Sequence, residues 1–361
     1  LKYTQYELLT NLRGFAAILV VFSHASNAGL YLFPGLDFSG SGRYGVYLFF
    51  ILSAFLLTSQ LDFLLTKKRN FKRLFVVYLS NRFTRIYPLF IVMLLVYLIV
   101  YLVFGAPNYI NGVMDFIKHV ALLKGDGIFW TIPVEFKFYF ILPFVVLMKV
   151  VLQPVIFYLL IIISIALFSL LSPVYDGSLY PFLGVFLLGN LFYYQQKNNI
   201  TNGFVSFYFV LSVAAFFLII PAGYRYVFGV EVARGYFHPY VLLHCAIFFP
   251  WIYLCANKNK LAKAFNFKFL EKAGQHSFSL YLIHPLTLLF VNNYLGESLS
   301  SSVKFSIFFI ITIILSYISW VYIEVRLRHT KLIRNISYSL VKSISMLVFY
   351  LLGRVQKYVF K

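Results

Sequence analysis

Residues 12–32 read LRGFAAILVVFSHASNAGLYL. Arg13 and His24 are the basic residues in the stretch, and the rest is apolar, small or weakly polar. A helix needs about 20 such residues to cross the ~30 Å hydrocarbon layer of a bilayer. Small residues near Ala25 and Ala28 give it some likeness to a secretory leader. A charged group within the apolar run and many further apolar windows downstream argue against cleavage. Those windows fall at 44–65, 86–104, 128–150, 154–171, 179–194, 204–221, 236–256, 276–295 and 303–323. With the first, they predict an all-α integral membrane protein, a bundle of about ten transmembrane helices.

Composition agrees. Of 361 residues, 61% are hydrophobic and 12% charged, against roughly 45–50% and about 25% in soluble domains. The formal net charge is +20, which elsewhere would suggest nucleic acid. Here Lys and Arg stand in short runs between apolar windows, where the positive-inside rule and anionic lipid headgroups place them, so membrane lipids and no nucleic acid are the expected partners. With a cytoplasmic N-terminus, the inside gaps hold Lys67, Lys68, Arg69, Lys72, Arg73, Arg82 and Arg85, then Lys197, then Lys258, Lys260, Lys263, Lys268 and Lys272. Arg326, Arg328, Lys331 and Arg334 follow the last window, whereas the outside gaps hold Arg43, Lys118, Lys124, Arg225, Arg234 and Lys304. Both termini are therefore expected in the cytoplasm, on a multi-pass protein of the plasma or inner membrane.

Residues 335–361 mix apolar positions with Lys342, Lys357 and several serines. They read as an amphipathic helix on the cytoplasmic interface, which divides the chain into a membrane domain, 1–334, and an interfacial segment, 335–361. Cys245 and Cys255 are the only cysteines. They lack the neighbouring ligands of a zinc site, and no metal is expected.

Ionisable groups inside spans are costly and point to function. Arg13 and His24 are eleven residues apart, close to three helical turns, so they share a face about 16 Å apart along the axis. Arg13 alone reads equally as a snorkelling anchor, and His24 as a polar contact between helices. In the 128–150 window, Trp130, Glu135, Lys137 and Tyr139 interrupt the apolar run. Glu135 and Lys137 point to different faces. A lone carboxylate at that depth needs a partner, and counting residues along each span places His24 level with it. Ser277, Tyr281 and His284 follow i, i+4, i+7 spacing on one face, a pattern that also serves as helix–helix glue. Arg82 and Arg85, placed just before the 86–104 window, are positive-inside anchors or phosphate ligands. His238 and His244 read as packing residues, and Asp37 and Asp126 as solvated loop residues.

Four stretches together resemble the acyltransferase-3 family of membrane O-acyltransferases, in its standalone form without a fused hydrolase domain. The first runs from Leu12-Arg13-Gly14-Phe15 to His24, similar to the family's Arg-x10-His signature. The second is GVYLFFILSAFLL, residues 45–57. The third joins RFTRIYP, 82–88, with WTIPVE, 130–135, and the fourth is HSFSLYLIH, 276–284. The sequence departs from the family pattern at Thr10 and Asn11, where Asp-Gly is common, at Ala54, where Gly is usual, and at Phe136, where a second Glu is common.

The resemblance implies acetyl-CoA or another acyl-CoA as donor, and as acceptor a hydroxyl of a bacterial cell-surface glycan or its lipid-linked precursor. Arg13, Arg82 and Arg85 would hold the donor phosphates. His24 would either take the acyl group or act as general base. Glu135 would orient the imidazole. Ser277, Tyr281, His284 and Trp130 would contact the oxyanion or the acceptor. A transporter or flippase for an envelope lipid would use the same buried charges as a translocation path, and a membrane scaffold would use them only for packing. Neither releases thiol from an acyl-CoA.

Overall fold

The computed structural model describes residues 7–66, 70–105, 109–171, 179–197, 200, 202–230, 241–296 and 298–359. Lys67, Lys68, Arg69, Arg234 and His238 lie outside the described residues. Every regular element among the described residues is helical. The first half comprises α1 (Glu7–Asn27), α2 (Gly42–Thr66), α3 (Phe71–Phe104), α4 (Val113–Val120), α5 (Thr131–Val151), α6 (Pro154–Leu171) and α7 (Tyr180–Gln195). The second comprises α8 (Asn202–Ile219), α9 (Pro221–Phe228), α10 (Val241–Ala246), α11 (Phe248–Ala256), α12 (Lys268–Gln275), α13 (Ser277–Tyr294), α14 (Ser301–Ser319), α15 (Arg326–His329) and α16 (Lys331–Val359).

Helix α1 sits in the middle, packed against α2, α11, α12 and α13. Small residues allow this. A methyl group on Gly14 would overlap the Leu270 carbonyl, and one on Gly274 would overlap the Thr10 carbonyl, so α1 and α12 cross backbone to backbone. Gly45 also brings α2 close to Ala16, and Gly189 seats α7 against Ile51. Close approach through small residues is the usual basis of helix association where lipid offers no hydrophobic drive. It also fixes the rotation of α1, and with it the direction of Arg13 and His24. The opposite surface suits lipid: Leu102, Val103, Phe104, Ile162, Phe207 and Val210 are all exposed.

Among the described residues, five helical stretches combine the length and apolarity needed to cross a membrane: Glu7–Asn27, Gly42–Thr66, Phe71–Phe104, Ser301–His329 and Lys331–Tyr350. A sixth is formed if the pair Gly203–Ile219 and Pro221–Phe228, bent by 82°, is one span. The expected count of about ten is not reached on this measure. Helix α13, for example, is diluted by His284, Asn292 and Asn293.

Two boundaries differ from expectation. Helix α3 does not begin after Arg85. It starts at Phe71, where the Asn70 side chain accepts the Arg73 N–H, and runs on through Arg82, Arg85 and Pro88. Both arginines therefore lie within a long helix rather than ahead of it. Helix α16 starts at Lys331, four residues before the expected segment, and lies along α3 with the Phe349 ring against Phe71 and Phe75 at 6.2 and 5.4 Å.

Candidate active site

Three adjacent cavities follow α1 from Arg13 to His24. The largest, about 620 Å³, lies at the His24 end and is lined by Ser23, His24, Asn27, Arg43, Tyr109, Trp130, Tyr281 and Asn292 among others. A middle cavity of about 70 Å³ is lined by Arg13, Val46, Phe50, Glu135, Ser277 and Tyr281. A third, also about 70 Å³, is lined by Arg13, Ser53, Arg82, Arg85, Glu135 and Tyr139. Val46 and Tyr281 are common to the first two, and Arg13, Phe49, Glu135 and Phe278 to the last two.

At the wide end, His24 Nδ1 lies 2.9 Å from His284 Nε2, and His284 Nδ1 lies 3.2 Å from the Leu280 carbonyl. A carbonyl only accepts, so His284 Nδ1 carries the hydrogen. With His284 neutral, its Nε2 is an acceptor, and His24 Nδ1 must donate to it. His24 Nε2 then keeps its lone pair. Nothing among the described residues hydrogen-bonds to that nitrogen. His284, expected as an oxyanion or acceptor contact, thus hydrogen-bonds His24 Nδ1 and fixes which nitrogen of His24 carries the hydrogen.

Tyr281 is a wall shared by the wide and middle cavities. Its hydroxyl donates to the Ile128 carbonyl at 2.7 Å and accepts from Thr131 Oγ1 at 3.3 Å. That links α13 to the 3-10 turn Gly127–Trp130 and to the start of α5. Trp130 stands on this turn and lines the wide cavity, its ring edge-on to Phe50 at 5.9 Å and tilted on Phe182 at 4.7 Å. Ser277 is buried and lines the middle cavity.

The narrow end is dominated by arginine. Arg13, Arg82, Arg85 and Arg328 are within electrostatic reach of one another's neighbours, as are Glu135 and Glu324. Glu135 accepts the Tyr139 hydroxyl, one turn away, at 2.9 Å. It lines both cavities that contain Arg13 but not the one that contains His24. The expected Glu135–His24 pair is therefore replaced by two separate arrangements. The residue count misjudged depth because Glu135 sits on the second turn of α5, below the 3-10 turn that carries Trp130. Lys137 is exposed, on a different face from Glu135.

Glu324 escaped the sequence reading altogether. It is buried in a π-helical turn, Trp320–Val325, at the end of α14, where Ser279 Oγ donates to its carboxylate at 2.8 Å. A π turn inserts one residue into the helical repeat and is frequent at functional sites. Four arginines thus face two carboxylates, and none of the direct ion pairs among the described residues joins them. Arg82 Nε is buried without a hydrogen-bond partner among the described residues.

A family model described as an acyltransferase domain matches residues 7–321. The chain belongs to the acyltransferase-3 family. Comparisons with curated proteins and with solved structures return no match. As a member of this family the chain is a membrane acyltransferase, taking an acyl group from a donor to an acceptor. The stretches that carry the resemblance are dispersed over α1, α2, α3, α5 and α13, yet each contributes lining to the three cavities. Among the described residues, no group of three or more His, Cys, Asp or Glu is placed to hold a metal ion.

Proposed function

We propose that this acyltransferase moves a short acyl group, acetyl in the first instance, from cytosolic acyl-CoA to a hydroxyl of a cell-envelope glycan or its lipid-linked precursor. The observation that carries the reading is the row of adjacent cavities, sharing walls, from a net-positive arginine cluster to an imidazole nitrogen with a free lone pair. Buried cations without direct counter-ions are expensive in a membrane, and an anion that enters with the substrate relieves that cost. Arg82, Arg85 and Arg13 would hold the phosphates of the donor, with Arg82 Nε as one waiting hydrogen-bond donor. Glu135 and Glu324 would keep the guanidinium groups apart and oriented. The middle cavity would take the thin pantetheine arm past Tyr281.

In the wide cavity, Trp130 and Tyr109 offer aromatic faces and Asn27 and Asn292 offer amides, a mixture that suits sugar rings edged with hydroxyls. His24 Nε2 takes the proton of the acceptor hydroxyl as its oxygen attacks the thioester carbonyl. The resulting imidazolium keeps its Nδ1–H bond to His284. It returns the proton to the departing sulfur, so the products are an ester and a free thiol, and His24 is neutral again. Purified enzyme in liposomes, given acetyl-CoA and an envelope glycan acceptor, should release thiol in step with ester formation. A protein that binds both ligands yet releases no thiol is a transporter or scaffold, not this enzyme.

A further inference from the structure

The wide cavity carries a charge that the acyl-transfer chemistry does not use. Arg43 lines it, nine-tenths buried, with its guanidinium 5.0 Å from the centre of the Tyr44 ring. His24 aside, Arg43 is the one basic side chain among the described lining residues, and none of those residues is Asp or Glu. Arg43 is also the second residue of α2, a helix of 25 residues whose entry, Gly40 and Gly42, lines the same cavity. The amide groups of a first helical turn carry partial positive charge and accept anions. The two features converge close to the reacting imidazole: a methyl group on Gly42 would meet Ser23, the neighbour of His24, at 3.2 Å. Both the guanidinium and the helix entry therefore present positive potential to whatever fills the cavity beside His24, and a planar guanidinium matches carboxylate or phosphate geometry.

We infer that the acceptor is an anionic sugar, whose carboxylate or phosphate is held by Arg43 and the first turn of α2 while a nearby hydroxyl faces His24. The inference rests on reading the wide cavity as the acceptor site. Its test is therefore a binding measurement made without acyl donor. Purified protein in neutral detergent is titrated calorimetrically with three matched probes: a methyl glucoside, the corresponding glucuronide, and the glucoside 6-phosphate. The wild-type protein should bind at least one charged probe about tenfold or more tightly than the neutral one, the scale of a charge-assisted hydrogen bond. The preferred probe identifies carboxylate or phosphate as the recognised group, and added salt should shrink the preference.

Arg43→Gln should bring the charged probes down to the neutral one, and Arg43→Lys should keep part of the preference. Where Arg43→Gln does not fold, Arg43→Lys and the salt dependence of the wild type decide the matter. Equal binding of all three probes, binding of none, or a preference that survives Arg43→Gln overturns the inference. Thiol release from acetyl-CoA is scored separately. A preserved anion preference without His24-dependent release overturns the acyl-transfer reading and leaves the anion site standing.

Discussion

The two ends of α1 are built on opposite principles. At the Arg13 end, three arginines and Glu135 line a cavity of about 70 Å³, with Arg328 and Glu324 within electrostatic reach, and none of the direct ion pairs among the described residues joins these groups. At the His24 end the space is about 620 Å³, and the proposed reactive group is an imidazole hydrogen-bonded to a second imidazole. The narrow end suits a ligand of fixed shape and high negative charge. The wide end suits variable ligands brought to one well-placed nitrogen. About three helical turns separate them, so binding energy gained at one end can be used at the other only through a long, thin substrate. Mutations at the two ends should consequently fail in different kinetic terms.

The largest effect is expected at His24. His24→Ala should lower acyl transfer by roughly 10²- to 10⁴-fold, the usual share of a positioned general base, with expression and membrane insertion unchanged. Quantifying ester on the acceptor by mass spectrometry checks it, and wild-type modification levels would remove His24 from the mechanism. His284→Ala should come next. It strips a bond that strengthens as the imidazolium forms, so a loss of about 10- to 100-fold is expected, mainly in kcat. The double variant should be little worse than His24→Ala alone, because residues acting as one unit are strongly non-additive. Independent, multiplicative losses would break the two-imidazole arrangement.

The narrow end should respond in KM. On the proposed reading Arg82→Gln removes a phosphate contact made alike in ground and transition states, so apparent KM for acyl-CoA should rise about tenfold or more while kcat largely recovers at saturation. Glu135→Gln should couple with Arg82→Gln and not with His24→Ala. A double-mutant cycle in which Glu135 couples to His24 would restore the pairing that the structure separates.

How these two ends are divided was only half legible in sequence. Apolar windows found most of the helices, and the eleven-residue step from Arg13 to His24 placed both on one face, because helical period is local. Three features depended on more than local pattern. Arg82 and Arg85 stand ahead of an apolar window because such a window stops at charge, whereas α3 carries them through half-buried, beside Arg13 of α1 and Glu135 and Tyr139 of α5. Glu324 fell just past a window ending at 323, and a π turn leaves no signature in composition. His24 and His284 are 260 residues apart, and only the packing of α13 on α1 reveals which of several candidates at similar depth is the partner.

The smallest expected effect tests whether the wide end is held from outside the spans. His119, on the short helix α4, is fully buried beside Phe129. Its Nδ1 lies 2.8 Å from the Asp115 carbonyl and its Nε2 accepts the Asp126 N–H at 3.0 Å. Asp126 caps the turn that carries Ile128 and Trp130, the anchor of Tyr281 and a wall of the wide cavity. Lys124 pairs with both Asp115 and Asp126 alongside. Burial pushes the His119 pKa below its usual value, outweighing the nearby Asp115 and Asp126, which act to raise it. The sign follows from proton counting. Below the ordinary histidine range, near pH 6.5, the unfolded chain binds a proton that the folded one resists, so the contribution of His119 is complete above that range and is lost as pH falls through it. Protonation would also set an N–H against the Asp126 N–H and loosen the turn. Thermal unfolding at pH 8 and pH 5.5 should show a drop of a few degrees in Tm at the lower pH. His119→Gln should remove that pH-dependent part, whatever its effect on stability at pH 8. If the variant keeps the whole pH dependence, the turn is held by other contacts and the wide cavity owes nothing to this histidine.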